Sequence, residues 1–395
     1  MNVTSAHRTD KVVIFDTTLR DGEQSAGVNF STRDKLDISL ALEAMRVDVI
    51  EAGFPAASPA ELANVRAVAQ QVQSSGVCAL ARCTLADVET AADALSEARR
   101  GRIHVFIGSS VTHLTGQLRK AESDALAMLS AAIRLARDRV AEVEFSAMDA
   151  TRAEPATLSA MIRAAITAGA SIINVPDTVG IATPAHITRL FQRLLEDVPE
   201  LAAVTLSFHG QDDLGLATAN ALAAIEAGAR QVEVAVNGIG ERAGNTALEE
   251  VAVALLVHGK AMGVHADVDC TRIHGLSELV RVRSGMPIAP NKAIVGRNAF
   301  RHASGIHQDG ILKERATFEA VDPAWVGHPL GAQIVLGKLS GRSGFLSKAQ
   351  ELGLVVAPEA RSRLFARFQR LADLQPEVSD EDVRRLVLAD ELASP

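Results

Sequence analysis

Arg20 and Asp21 stand side by side in DTTLRDGEQSAGVNF, residues 16–30, where the apolar run Val12-Val13-Ile14-Phe15 gives way to a glycine-containing polar turn. A cation and a carboxylate at the end of a buried strand are costly to desolvate unless each has a partner or a task. One task is to hold a divalent metal and the anionic oxygen of a substrate. The other reading is a structural ion pair, and these two residues alone do not separate them. Further along, His209 and Gln211 lie two apart on an extended segment, so their side chains share a face. Asn245 follows in the glycine-rich NGIGERAGN. Asp21, His209, Gln211 and Asn245 together offer oxygen, nitrogen, oxygen and oxygen. That set suits Mg²⁺ or Mn²⁺ better than Zn²⁺, although Zn²⁺ stays open. The alternative is a core histidine satisfied by its neighbours, beside two solvated amides.

Eight strand candidates must position these groups: 12–15, 47–52, 77–81, 103–107, 143–146, 171–175, 204–208 and 231–236. Between them run amphipathic stretches such as DKLDISLALEAM, with apolar residues at helical spacing. Ser31-Thr32, Ser58-Pro59 and Thr183-Pro184 read as helix starts. Eight such units predict a (β/α)8 TIM barrel, with an open two-domain nucleotide-binding fold as the competitor. The first strand lacks the GxGxxG which that fold requires. In a barrel the site sits at the C-terminal strand ends. Arg20-Asp21, Arg82, Ser109-Ser110 with His113, Ser146 to Asp149, Asn174 to Thr178, His209 to Asp212 and Asn237 to Asn245 all fall there. Residues 1–270 are therefore expected to form the barrel, and residues 271–395 a helical subdomain that completes the site and a dimer.

The bulk properties agree with an enzyme. The chain has 395 residues, 48% of them hydrophobic, enough for one large domain and a smaller one. A formal net charge of −8 and the lack of a basic block argue against nucleic acid as a partner. No apolar run approaches the roughly 18–20 residues that span a bilayer, and MNVTSAHRTDK has no signal-type stretch. Cys78, Cys83 and Cys270 form neither a disulfide framework nor a CxxC pair, as in a cytoplasmic protein, and Cys78 and Cys83, five apart, read as small core residues. Tyrosine is absent, which removes one common general acid.

DTTLRDGEQSAGVNF, FSAMDATR, NVPDTVG, FHGQDDLGLATAN, NGIGERAGNTALEE and SGIHQDG, in this order, resemble the 2-isopropylmalate synthase and homocitrate synthase family over residues 11 to about 390. The resemblance implies condensation of acetyl-CoA with a 2-oxo acid in a homodimer. It implies Asp21 and His209 as metal ligands, Asn245 as a further ligand or near-ligand, and Arg20 as the group steadying an alkoxide. His307, an imidazole that ordinarily titrates near neutrality, matches a catalytic histidine of the helical region. His113, Ser146 and Thr178 match positions lining the 2-oxo acid pocket, and Gly244 with Asn245 would let the CoA arm approach the backbone. The chain stops where the leucine-binding domain of long synthases would begin, so leucine insensitivity is expected. Four departures stand out. The family has histidine where this chain has Gln211, glutamate at Met148, tyrosine at Phe318, and a GKHSGRHA-like loop where GKLSGRSG carries Leu339 and Ser343. Met148 in particular makes the pocket more apolar. An acyltransferase of the 2-isopropylmalate synthase type, giving a 2-substituted malate, is the main expectation, and an enzyme specialised for an unusual 2-oxo acid is one form of it. Homocitrate synthase, a non-catalytic paralogue with a degenerate metal site, and a C–C lyase of the hydroxymethylglutaryl-CoA lyase type are the alternatives.

Overall fold

The eight apolar runs become eight strands: β1 Val13–Asp16, β2 Val49–Gly53, β3 Gly76–Arg82, β4 Gly101–Gly108, β5 Glu142–Met148, β6 Ile172–Asp177, β7 Thr205–Gly210 and β8 Gln231–Val234. Each pairs in parallel with its sequence neighbours, and β1 pairs with β8, which closes the barrel. The structure is a computed structural model and describes residues 9–392. Parallel pairing obliges the chain to return after every strand, and helices make the return. These are α1 Thr32–Ala44, α2 Pro59–Gln71, α3 Leu85–Ala94, α4 Glu122–Arg139, α5 Pro155–Ala168, α6 Pro184–Asp197, α7 Ala217–Glu226 and α8 Leu248–Met262. Ser31, Ser58 and Thr183 cap α1, α2 and α6 as their residue types require, and Ser31 closes a capping box with Asp34. Met1–Arg8, read above for their lack of an apolar run, lie outside the described residues, as do 393–395.

Alternation along each strand sorts the side chains. Apolar residues such as Ile14, Ile50, Val143 and Phe208 are buried towards the helices, where Phe208 meets Phe191 of α6 edge-on with ring centroids 6.0 Å apart. The barrel axis is polar. Arg102 donates to Glu144 (3.0 Å) and Gln231 (2.7 Å), and Gln231 donates to Glu144 (2.7 Å) and Ser207 (3.0 Å). Above them His104 joins Glu51 through Nδ1 (2.8 Å) and Ser146 through Nε2 (2.7 Å). Burial by itself would lower the His104 pKa, but the Glu51 hydrogen bond and the charges of Glu51, Glu144 and Glu233 raise it to about 8. A raised histidine pKa stabilises the fold below the unfolded value near 6.5 and loses that contribution as pH rises through about 8. Unfolding stability is therefore expected to fall by roughly 2 kcal/mol between about pH 6.5 and 8. Denaturant titrations across that window, repeated on His104→Gln, check this: the variant should lose the slope, and a flat wild-type profile would contradict it.

The first compact unit runs to Ile288 and the second from Ala289 onward. Helix α9, Ile273–Ser284, assigned by the sequence reading to the region after 270, therefore stays with the barrel. The reason is polar as well as apolar: Arg283 pairs with Asp34 (3.2 Å) and Asp37 (2.7 Å) on α1, and Asn237 donates to the Ser277 carbonyl (3.0 Å). The second unit contains α10 Gly305–Lys313, α11 Arg342–Glu351, α12 Arg361–Ala372 and α13 Asp380–Glu391. A short parallel ladder pairs Arg301–His302 with Gln333–Ile334, and Phe345 and Phe368 meet at a tilt in its own core with ring centroids 5.0 Å apart. No helix among the described residues is long and apolar enough to cross a membrane.

Candidate active site

The strand that ends at Asp16 turns back on itself at once. Thr17 O accepts from the backbone of Arg20 (3.1 Å) and Gly22 (3.0 Å), and Thr17 Oγ1 accepts from Asp21 N (3.2 Å). This turn aims Arg20 and Asp21 into a cleft of about 210 Å³ at the C-terminal strand ends, which Met148, Thr178, His209 and Gln211 also line. Arg20 donates Nε to Glu51 (2.6 Å) and Nη1 to Asp21 (2.6 Å). Its Nη2 stands 4.0 Å from Glu233, beyond hydrogen-bond reach, and is the edge left for an anion. Burial would raise Asp21, yet the Arg20 guanidinium, His209 and the Asn245 hydrogen bond hold it below the usual carboxylate range. It is a carboxylate at neutral pH.

Asn245 Nδ2 donates to Asp21 Oδ1 (3.0 Å), and Asn245 forms an antiparallel bridge with Gln211. Gly244 delivers it. At φ +99° a Cβ on Gly244 would lie 2.0 Å from the Gly238 carbonyl oxygen, so glycine is required for the loop's own closure. The structure places Gly244 against Gly238 across the loop. Asn245 likewise turns its amide to Asp21 and the Ile239 carbonyl. His209 gives Nδ1 to Glu233 (2.8 Å), and Gln211 Nε2 approaches its Nε2 (3.1 Å). Burial would lower the His209 pKa, but Glu233 and Asp21 raise it. The field around its ring favours positive charge.

Four of the side-chain oxygens buried here have no partner: Gln211 Oε1, Asn245 Oδ1, Glu233 Oε1 and Asn174 Oδ1. Each unsatisfied buried acceptor costs about 1–3 kcal/mol. Two of them belong to the four residues that the sequence singled out as ligands, beside an ionised carboxylate and an imidazole. The donor set fits a divalent cation. Two further groups of potential ligands, Glu51–Cys78–His104 and His104–Glu144–Glu233, lie on the barrel axis. There both nitrogens of His104 are already engaged, so they read as the ion-paired interior rather than as a metal centre.

The remaining sequence candidates divide. Ser146 and Thr178 line the cleft; Ser146 Oγ accepts from Asn174 (2.8 Å), and Thr178 Oγ1 accepts from Asp149 N (2.9 Å). His113 is not among the lining residues. Its Nδ1 turns to Asp149 (2.8 Å) and Ser110 (2.9 Å), against the backbone of Gly108, where a Cβ would collide with the His113 side chain. Arg82 pairs with Asp87 (2.6 Å) and also stays out of the cleft. His307 lies in the second unit, exposed at the start of α10, with its ring stacked on Phe318 at 4.0 Å. Sequence reasoning missed Glu51, His104 and Glu233, and named Asn174 only as part of the rim. Their signal was present: an ionisable or amide residue inside an otherwise apolar strand, two positions from a rim residue of the same parity. A wider groove of about 1660 Å³ in the second unit is lined by ion pairs such as Arg301–Glu377 (2.8 Å) and by none of the candidates.

The HMGL-like family model matches residues 11–280, and the homocitrate synthase post-HMGL domain-like model matches 294–376. The chain is 48% identical over 390 residues to a 2-isopropylmalate synthase of Aromatoleum aromaticum, covering 98% of this chain and 75% of that protein. The chain belongs to the 2-isopropylmalate synthase and homocitrate synthase family. A 2-isopropylmalate synthase of Carboxydothermus hydrogenoformans is 47% identical over 378 residues, covering 96% of this chain and 74% of its own length. Among solved structures, the hydroxymethylglutaryl-CoA lyase of Pseudomonas aeruginosa matches with a TM-score of 0.61 at 21% identity, over 71% of this chain and 96% of that one. That last likeness is one of fold. The TIM barrel expected from the strand–helix count is the family's barrel, and the family's C-terminal helical region is present.

Proposed function

We propose that this protein is an acyltransferase that condenses acetyl-CoA with a 2-oxo acid to give a 2-substituted malate and free CoA. The observation that supports it best is the meeting of Arg20 with buried, cation-seeking oxygens around Asp21 and His209 in one cleft. Asp21, His209, Gln211 and Asn245 would hold a divalent cation, Mg²⁺ or Mn²⁺ before Zn²⁺. When bound it supplies Lewis acidity towards the keto oxygen of the 2-oxo acid.

The protein's own residues do the rest. A base removes a proton from the acetyl-CoA methyl group, the resulting carbon adds to the keto carbon, and the alkoxide forms against the free Nη2 edge of Arg20. Because Glu51 and Asp21 hold that guanidinium in place, little reorganisation is needed as the charge appears. Water then cleaves the thioester and CoA leaves as the thiol. His307 is proposed as the base on its residue type and on the family resemblance. Thr178, whose Oγ1 already accepts from Asp149 N, has its hydroxyl proton free for a substrate oxygen, and Ser146 lies on the same wall. His113 is assigned a positioning role, holding Asp149 at the end of β5 beside Met148. A homodimer in the cytoplasm is proposed on the same family grounds, and a monomer mass by light scattering would reject the dimer.

The acceptor class follows from the walls. Leu80, Phe106, Met148 and Pro176 are apolar, and the two guanidiniums that line the cleft are engaged, Arg20 as described and Arg242 by Asp213 (2.8 Å). Beyond the Arg20 edge, a second substrate carboxylate would find no unengaged guanidinium to pair with. Monocarboxylic 2-oxo acids with apolar side chains should therefore exceed 2-oxoglutarate in kcat/KM by roughly 100-fold or more. Thiol-reagent detection of CoA across a panel of 2-oxo acids tests this. A preference for 2-oxoglutarate would favour the homocitrate synthase reading, and metal binding without CoA release from any acceptor would favour a non-catalytic paralogue.

A further inference from the structure

The buried face of α1 reads Lys35, Ile38, Ser39 and Leu42, so a lysine occupies a core position at helical spacing. It is fully buried, and an ammonium there is costly unless each N–H finds an oxygen. Lys35 Nζ donates to Glu61 Oε1 on α2 (2.7 Å) and to the carbonyls of Leu19 (3.2 Å) and Ala52 (3.2 Å), and Glu23 Oε2 stands 2.7 Å away. Both carboxylates are pinned by backbone: Glu61 Oε1 accepts from Phe54 N (3.2 Å), and Glu23 Oε1 from Phe30 N (2.9 Å). The space is reserved for this cluster. A Cβ on Gly53 would lie 1.9 Å from Glu61 Oε1 and 3.1 Å from Lys35 Nζ.

The carboxylates balance the charge; the two carbonyls have a different consequence. The Leu19 carbonyl belongs to the peptide that leads into Arg20, and Ala52 is the residue after Glu51. Arg20 and Glu51 are the pair joined at 2.6 Å. One ammonium therefore ties together the backbones at both ends of that pair. The bonds to Thr17 close the turn after β1 upon itself, whereas Lys35 fixes that turn against the end of β2. We infer that Lys35 is a positioning residue for Arg20: it sets the separation between the two backbones and with it the direction in which the guanidinium presents its Nη2 edge. Lys35 does not line the cleft and acts only through Arg20. The inference rests on the assignment of Arg20 to the developing alkoxide under the proposed function.

The test reads Arg20 directly by NMR on the full chain, so that turnover is not needed. Arg20 Nε–H, donated to Glu51 at 2.6 Å, should give a slowly exchanging resonance, assigned with Arg20→Lys. Arg102 Nε–H, donated to Glu142 at 3.0 Å, is the internal control. In Lys35→Met the Arg20 signal should exchange about tenfold faster or more, while Arg102 keeps its wild-type rate. An unchanged Arg20 signal, or equal acceleration of both, would make Lys35 a general support of the fold and overturn the inference. Lys35→Arg serves if the methionine variant does not fold. It keeps a counter-charge for Glu23 and Glu61, but a planar fork cannot reach two carbonyls and two carboxylates as a tetrahedral ammonium does. Arg20 should again exchange faster, and wild-type exchange there would show that charge alone is needed and would reject positioning. In turnover, Lys35→Met should lower kcat roughly 10- to 100-fold and leave KM for the 2-oxo acid within about twofold. A raised KM at wild-type kcat would count against the inference. A wild type that releases no CoA from any acceptor would sink the acyltransferase reading, and the Arg20 exchange would still decide the role of Lys35.

Discussion

Asp21→Ala is expected to abolish stoichiometric Mn²⁺ binding and to lower CoA release by roughly 10³-fold. The carboxylate is the one formal negative charge among the four proposed ligands, and its environment keeps it ionised. Its loss would leave Asn245 with the Ile239 carbonyl as its remaining acceptor and Arg20 without one of its two carboxylate anchors. The fold should survive, because Arg20 keeps Glu51 at 2.6 Å and Asp21 takes no part in the barrel ladder. Asp21→Asn separates charge from shape: it retains the hydrogen-bonding outline, so a loss of binding there as well assigns the effect to the charge. Calorimetry with Mn²⁺ beside a CoA assay is the measurement. Near-normal turnover in Asp21→Ala with a full complement of metal would reject the site.

His307→Ala is expected to behave differently, losing roughly 10²- to 10⁴-fold in CoA release while binding Mn²⁺ as the wild type does. The dissociation follows from position. His307 belongs to the second compact unit, whereas the proposed ligands belong to the barrel. The substitution should leave α10 intact, since the cap there is Ser304 accepting from the backbone of residue 307, not from its ring. The ring's stacking on Phe318 at 4.0 Å is worth only about 1 kcal/mol. Wild-type turnover in the variant would take the base role from His307 and direct attention to the barrel's own ionisable groups. A parallel loss of metal binding would mean that the alanine acts through the fold.

Much of this molecule could be read without coordinates, and the reason is periodicity. Eight apolar runs separated by stretches of helical spacing leave few topologies. Capping residues such as Ser31 and Thr183 are local devices that work by contacts three residues away. Arg20, Asp21, His209 and Gln211 were legible as a cluster because parallel strands put all their C-terminal ends on one rim. The ion-paired interior was not, although its residues were in plain view. Glu51, His104, Glu144 and Glu233 each lie in a strand that reads as apolar, and only the pleat's alternation, applied strand by strand, turns them to the axis. The destination of His113, which turns from the cleft to Asp149, also needed the fold, because Gly108 and Asp149 reach it from different strands. So did the boundary at Ile288, since α9 pairs through Arg283 with Asp37, 246 positions away. The type and spacing of residues determined which chemistry was available. Which of those groups were left with an unspent lone pair or N–H was decided by tertiary packing, because a hydrogen bond between distant residues has no signature in either one's sequence neighbourhood.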